Sequence, residues 1–242
     1  MSLYRDQGIV LRTYKLGETD RIVIILSQGR GKIRAVAKGV RRPGSKFGGR
    51  LEPYSHVDLQ LYEGRSLDLI SQAELIEPFA SIRDDFTLSA CAATMVEAAD
   101  RVVQEDERNL PVFLLLRAGL QSLQAQPPYP AIFVDAFLLR LAAASGFHLF
   151  VDSCAHCRRP GPHSYLNVAS GGTLCRDCAP LGSRALEPAT IALIGLLASG
   201  DWVSLPAAAL DVARRREAAG FVRAFVEHHI DNRLRSYPLV PR

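Results

Sequence analysis

Four of the five cysteines form two pairs, Cys154 and Cys157 in "CAHC" and Cys175 and Cys178 in "CRDC", with 17 residues between the pairs. Two residues between cysteines allow a tight turn that aims both sulfurs at one point. The spacing falls in the range of a tetrahedral zinc site. Four thiolates close the shell and leave no position for water, so the ion expected is one structural Zn2+ and not a catalytic one. The alternatives are a pair of disulfides, which a reducing compartment disfavours, or a metal-free remnant. His156 and His163 lie nearby, but a closed four-cysteine set does not need them. A zinc deaminase would need H-x-E and a proline before its cysteine pair, and neither occurs. Cys91, in "LSACAATM", has small apolar neighbours at helical spacing and reads as a buried thiol.

A second set of residues could meet phosphate. Between Asp20 and Glu52 there is no acidic residue, while Arg21, Arg30, Lys32, Arg34, Lys38, Arg41, Arg42, Lys46 and Arg50 are basic. All four lysines of the chain lie in its first 50 residues. A one-signed stretch is the footprint of a polyanion site, with a solvated face as the plain alternative. Within "KGVRRPGSKFGGR" (38–50), Gly39 and Gly44 are followed by Ser45 and Lys46, close to a nucleotide phosphate loop with its last two residues exchanged. Such a loop must open a helix whose N-terminus faces the phosphates. "FGGRLEP" follows instead and cannot. Phosphate remains the expected partner, but in a polymer. Tyr14, Phe47, Tyr54 and Tyr62 are candidates for base stacking. Aromatics make up only 7% of the chain, which favours a phosphate-dominated, sequence-tolerant binder. Arg158 and Arg159 flank the cysteine pairs and are a second candidate contact. Arg214, Arg215, Arg216 and Arg223 either extend such a surface or form a solvated helix face.

No catalytic constellation is apparent. G-x-S-x-G is absent. Asp84 and Asp85 read as partners of a helix dipole, Glu105–Asp106–Glu107 as a solvated acidic run, and Trp202 as a packed residue at a helix boundary.

The elements that must position these residues divide the chain. Segments 8–14, 21–27, 32–40, 56–62 and 66–75 show period-2 patterning with β-branched residues, the strand signal. Gly-bearing hairpin turns such as "SQGRGK" join them. Five short strands suit a small closed barrel, because closure removes exposed edges. After Pro78 the period becomes helical, in 82–104, 110–124, 131–147, 188–200 and 207–234. The segment 131–147 is apolar nearly all round, as a buried central helix is. Residues 152–180 carry the cysteines and too little apolar content to fold alone. The expected class is α+β: residues 1–79 as a barrel domain, 80–242 as a helical domain, with 152–180 inserted.

With 242 residues, 48% apolar and 22% charged, the chain is ordinary for a globular protein. No run reaches the roughly 18 apolar residues of a membrane span. No basic-then-apolar leader opens it. A cytosolic protein is expected.

Residues 5–67 resemble the opening domain of the RecO family of bacterial DNA repair and recombination mediators. The resemblance rests on "GIVL", "LGETD" (16–20), "GRGKIRAVAKGVRRPGSKFGG" (29–49), "LEPY" (51–54) and "QAEL" (72–75). The helical remainder is similar in layout, and the cysteine pairs match the zinc knuckles of many members. The resemblance implies an N-terminal five-stranded OB-fold, then a helical domain with a four-cysteine zinc knuckle. It implies binding to single- and double-stranded DNA, annealing of complementary strands, and no catalytic residues. It implies partnership with RecR, RecF and the acidic C-terminal tail of single-strand-binding protein, to help RecA load onto coated DNA, in the cytoplasm at the nucleoid. The family's basic barrel surface maps onto Arg34, Lys38, Arg41, Arg42, Lys46 and Arg50. Arg117 or Arg140 are candidates for the tail. An adaptor that chiefly holds other proteins, with DNA binding secondary, is the alternative.

Overall fold

A computed structural model describes residues 2–181, 183, 185–201, 211–230 and 232–242. Trp202 and the first residues of the expected helix 207–234 lie outside them. The strands are β1 (Leu3–Leu16), β2 (Asp20–Ser27), β3 (Gly31–Ala37), β4 (His56–Tyr62) and β5 (Asp68–Glu77). They close into a barrel in the order β1-β2-β3-β5-β4. All pairings are antiparallel except β3–β5, which is parallel at Ala35↔Asp68 and Val36↔Leu69.

β1 runs well beyond the expected 8–14. Its first half pairs with β4 from Leu3↔Tyr62, and its second with β2 as far as Leu16↔Asp20. One strand serving two neighbours is how a small barrel closes. β3 stops at Ala37, short of residue 40, because Gly39 takes φ +66° and turns the chain.

Alternation puts Val10, Val23, Ile25, Ile33, Leu59 and Ile70 inside the barrel, and the segment after β3 sends Phe47 and Leu51 in with them. That segment is therefore packed against the barrel and does not stand clear of it. Phe47, only 1% exposed, plugs it and offers no stacking surface.

The helices are α1 (Ala80–Asp84), α2 (Phe86–Val102), α3 (Leu110–Gln124), α4 (Pro130–Ala144), α5 (Pro188–Ser199) and α6 (Val212–His229), followed by a 3-10 turn at Tyr237–Leu239. The periodic stretch from 82 is two helices, not one. Asp85 breaks it by turning extended and capping α2, its side chain accepting from Leu88 N at 2.8 Å. Asn109 and Asp211 cap α3 and α6 in the same way. α4 is central as expected, with Ile132, Val134, Phe137, Leu138 and Leu141 buried. Its one buried carboxylate, Asp135, is matched by Tyr237 Oη (2.9 Å) and by Arg242 through Nη1 (2.7 Å) and Nη2 (2.9 Å). Cys91 is fully buried, and that burial pushes its thiol up to about 12.

The barrel has its own interior core, and its outer face joins the core of the helices. The outer face of β1 and β2 contributes Ile9, Leu11, Ile24 and Leu26 to the helical cluster. Polar groups rivet the same junction. His56 Nδ1 meets Glu77 at 3.0 Å, and Arg117 Nε reaches the same carboxylate at 2.8 Å. The acidic run 105–107 is not simply solvated. It docks on the β2–β3 hairpin, with Lys32 N donating to Gln104 O at 3.2 Å. Gly31 is required there, because a Cβ would stand 2.0 Å from Glu107 O.

Between α4 and α5, the cysteine-bearing segment 152–180 contains the short hairpin β6 (Tyr165–Asn167) and β7 (Gly172–Leu174). Its core is small: Cys154, Leu174 and Cys175. Among the described residues, no helix is long and apolar enough to cross a membrane.

Candidate metal centre and basic surface

Each cysteine pair is shaped by its own turn. Arg158 N donates to Cys154 O at 2.9 Å, with Arg158 at φ +62°. Cys178 N donates to Cys175 O at 3.1 Å. Ala155 N donates to Thr173 O at 2.7 Å, which ties the first turn to β7 just before the second. Arg159 Nη1 then bridges to Asp177 at 2.8 Å, one residue from each turn clamping the two together. All four Sγ atoms lie within 4.8 Å of one another.

The cysteines are free thiols, and Cys157 Sγ to Cys175 Sγ is 3.8 Å. That is far from a disulfide at about 2.05 Å. It matches the edge of a tetrahedron whose metal–sulfur bonds are about 2.3 Å, which places sulfurs about 3.8 Å apart. Charge tells the same story. Burial pushes the Cys154 thiol up, but backbone N–H groups of Cys157, Cys175 and His156 outweigh it and hold the thiol at about 5. Hydrogen bonding to Cys175 leads the causes that push Cys178 up to about 12. Four crowded sulfurs cannot all ionise unaided, and a divalent cation would let them. Cys154, Cys157, Cys175 and Cys178 could thus hold a metal ion. His156 is exposed, and His163 turns a ring nitrogen to Arg159 O at 2.9 Å.

The basic residues sort by the company they keep. Arg21 pairs with Glu52 at 2.9 Å, Arg30 with Glu63 at 3.9 Å, Lys32 with Asp100 at 3.1 Å, and Arg34 with Glu105 at 3.7 Å. Lys32 is 15% exposed and also donates to Asp100 O, so its charge serves the junction with α2. The segment 38–50 behaves differently. Arg41 Nη1 donates to Glu18 O (2.9 Å), Lys46 Nζ to Ser71 O (2.7 Å) and Arg50 Nη1 to Lys46 O (2.7 Å). These acceptors are carbonyls, which orient a cation without neutralising it. The Lys38 and Arg42 side chains have no hydrogen-bond or ion-pair partner among the described residues.

The segment is nonetheless ordered by its backbone. Successive turns donate Arg42 N to Gly39 O, Ser45 N to Arg42 O, Gly48 N to Ser45 O and Arg50 N to Phe47 O. Phe47 and Leu51 nail it to the barrel interior. Asp20 anchors its start by accepting from Gly39 N at 2.7 Å. That bond, then one from the Thr19 hydroxyl and the nearby charges of Lys38 and Arg42, hold the Asp20 carboxyl below its usual range. Sequence reasoning missed Asp20, and the one available signal was its place in the tight β1–β2 turn.

Most of the other candidates are engaged, Arg216 being exposed. Arg158 lies over the Phe150 ring at 4.0 Å. Arg214 pairs with Asp211 at 3.5 Å and Arg223 with Glu227 at 3.1 Å, while Arg215 lies over Tyr129 at 4.4 Å. Arg117 is committed to Glu77.

A family model described as recombination protein O N terminal matches residues 1–79, and one described as recombination protein O C terminal matches residues 83–238. Curated relatives named DNA repair protein RecO match across the full length of both chains. That of Thermobifida fusca is 44% identical over 244 residues, that of Frankia casuarinae 43% over 244, and that of Cutibacterium acnes 45% over 250, each covering 100% of both chains. With a barrel, a helical domain and a cysteine cluster in the order that resemblance implied, the chain belongs to the RecO family of DNA repair proteins.

Proposed function

We propose that the chain is a non-enzymatic recombination mediator. It binds single- and double-stranded DNA and anneals complementary strands. With RecR and RecF it helps RecA load onto DNA coated by single-strand-binding protein, in the cytoplasm at the nucleoid. One observation carries the reading: Lys38, Arg41, Arg42, Lys46 and Arg50 lie on one anchored segment, and none forms a carboxylate salt bridge among the described residues. Such a row can displace condensed counterions from a phosphate backbone without reading sequence. Lys32, Arg34, Arg158 and Arg159 are assigned a lesser share, because each already has a partner. In this reading residues 1–79 are the nucleic-acid-binding domain and 80–242 the helical domain, with 152–180 inserted. One Zn2+ holds the cysteines as a structural ion. No catalytic residue is needed, since annealing requires only that two strands be held and screened. The test is a fluorescence assay with complementary oligonucleotides, bare and coated with single-strand-binding protein. Accelerated annealing without ATP is expected, and no acceleration by protein that binds both strands would defeat the reading.

An adaptor role is supported by a groove in the helical domain. Its volume is about 280 Å3, its floor Ile132, Leu193 and Leu197, its rim Arg215 and Arg216. An apolar floor with a guanidinium rim suits the acidic tail of single-strand-binding protein. Charge reversal at Arg215 and Arg216 together should weaken binding of the tail peptide at least about tenfold, the equivalent of about 1.4 kcal/mol, and leave DNA affinity unchanged.

A further inference from the structure

The outer face of β1, β2 and β3 is only half used by the fold. The register between β1 and β2 shifts from Val10↔Ile25 to Arg12↔Ile24, so Leu11 is bulged. A bulge re-aims the residues that follow it. Val10 faces the barrel interior, Leu11 faces the helices, and Arg12 and Tyr14 then stand outward opposite Ile24 and Ile22. On the far side of β2, Ile22 lies opposite Val36 and Ile24 opposite Arg34. The helices cover the half of this face that holds Ile9, Leu11, Ile24 and Leu26. The other half is bare: Tyr14 is 47% and Leu16 38% exposed. The Tyr14 hydroxyl has no hydrogen-bond partner among the described residues.

A hollow of about 280 Å3 opens there between Arg12, Tyr14, Ile22, Lys32, Arg34 and Glu105. The Arg12 guanidinium stands 5.5 Å from the centroid of the Tyr14 ring. Arg12 and Arg34 are 50% and 46% exposed in their pairs with Asp100 and Glu105. The Arg34–Glu105 pair is exposed on both sides, so it is worth little and exchanges readily for another anion; Arg12 keeps its bond to the buried Asp100 and offers only the exposed part of its guanidinium. Two residues beyond Val36 the chain reaches Lys38, the first of the cations of 38–50 that form no salt bridge among the described residues. An exposed aromatic ring on a β-branched floor, flanked by Arg12 and Arg34 as well as Glu105 and continuous with the basic segment 38–50, is the chemistry of a stacking platform for an unpaired base. A duplex keeps its base faces stacked inside itself and cannot use it.

We propose that the Tyr14–Ile22–Val36 face, with Arg12 and Arg34 at its rim, binds an unstacked base of single-stranded nucleic acid. The proposal rests on the DNA-binding reading above and divides it. The segment 38–50 takes the phosphates of either form, and this face adds preference for a single strand.

The test uses the full chain, a fluorescein-labelled oligothymidine and a duplex of the same length, titrated over a range of salt. Tyr14→Leu should weaken single-strand binding by about 5- to 150-fold, the worth of one base–aromatic stack. Duplex affinity should not move. The salt slope on both should stay as in the parent, because no phosphate contact is removed. Tyr14→Phe should restore single-strand affinity. Independently of any variant, an oligonucleotide carrying 5-iododeoxyuridine should photocrosslink at Tyr14. Equal weakening on both nucleic acids, no weakening, or crosslinks confined to 38–50 would overturn the proposal. So would unchanged nucleic-acid binding with a change in sedimentation, which would assign the face to a second copy of the chain. Triple replacement of Arg41, Arg42 and Lys46 is the separating control. If that variant binds both forms normally, the DNA-binding reading itself fails.

Discussion

Lys32 and Lys38 are six residues apart on the same basic stretch, and their surroundings give them different work. Lys32 is enclosed with Asp100, itself 7% exposed, so each compensates the desolvation of the other. Lys32→Met would leave Asp100 with Arg12 as its remaining ion-pair partner among the described residues. A loss of about 1–3 kcal/mol is expected, the usual penalty for a buried polar group robbed of a partner. Lys38 has no such partner to lose, so Lys38→Met should keep stability within about 0.5 kcal/mol and weaken DNA binding on every sequence. Urea denaturation of both variants, beside DNA titration, separates the roles. Reversed outcomes would mean that burial does not sort these cations.

Among elements, the segment after β3 is held by what it buries. Phe47→Ala should cost about 3–5 kcal/mol, as large-to-small changes in a packed core do, and should release the turns that array the cations. A melting curve indistinguishable from the parent would refute the plug. The junction of β4, β5 and α3 sets a pH dependence. Burial holds His56 below its ordinary value, despite the opposing hydrogen bond to Glu77. The unfolded chain therefore takes up this proton first as pH falls. Stability should be full above about pH 6.5 and decline below it, until the folded state also protonates. His56→Gln should flatten that decline in urea titrations between about pH 5 and 8.

Much at this scale was legible in the sequence. Period-2 runs located every barrel strand, and C-x2-C spacing located the cysteine cluster, because each signal is local. What depends on a distant partner was not legible. Phe47 looked like a surface aromatic in a glycine-rich basic run, and only barrel closure gives it a cavity to fill. Lys32 and Arg34 looked as free as Lys38, since Asp100 and Glu105 lie some 70 residues on and only docking of α2 and the loop after it brings them close. The bulge at Leu11, which turns Arg12 and Tyr14 outward, has no marker in "GIVLRTY".

At the scale of the molecule there are two kinds of stability. The barrel interior is filled and the outer barrel face packs into the helical core, whereas the segment 152–180 has little beyond Cys154, Leu174 and Cys175. Its order should therefore come from the metal. Chelation, or Cys154→Ser, should remove one metal ion per chain, zinc in the proposed reading, and open 152–180 to proteolysis, while the barrel and helices stay folded. Protein that contains no metal when purified, or that resists proteolysis equally after chelation, would contradict this.

The central claim is that the cations of 38–50, none of them in a salt bridge among the described residues, bind the phosphates of DNA. The most direct measurement is the slope of log affinity against log salt, for the parent and for Arg41→Gln/Arg42→Gln/Lys46→Gln. Each neutralised phosphate contributes a slope of about −0.9 on duplex and about −0.7 on single strands. The triple variant should therefore lose close to three such increments on both forms, whatever the sequence. An unchanged slope and affinity would show that DNA is bound elsewhere on the molecule.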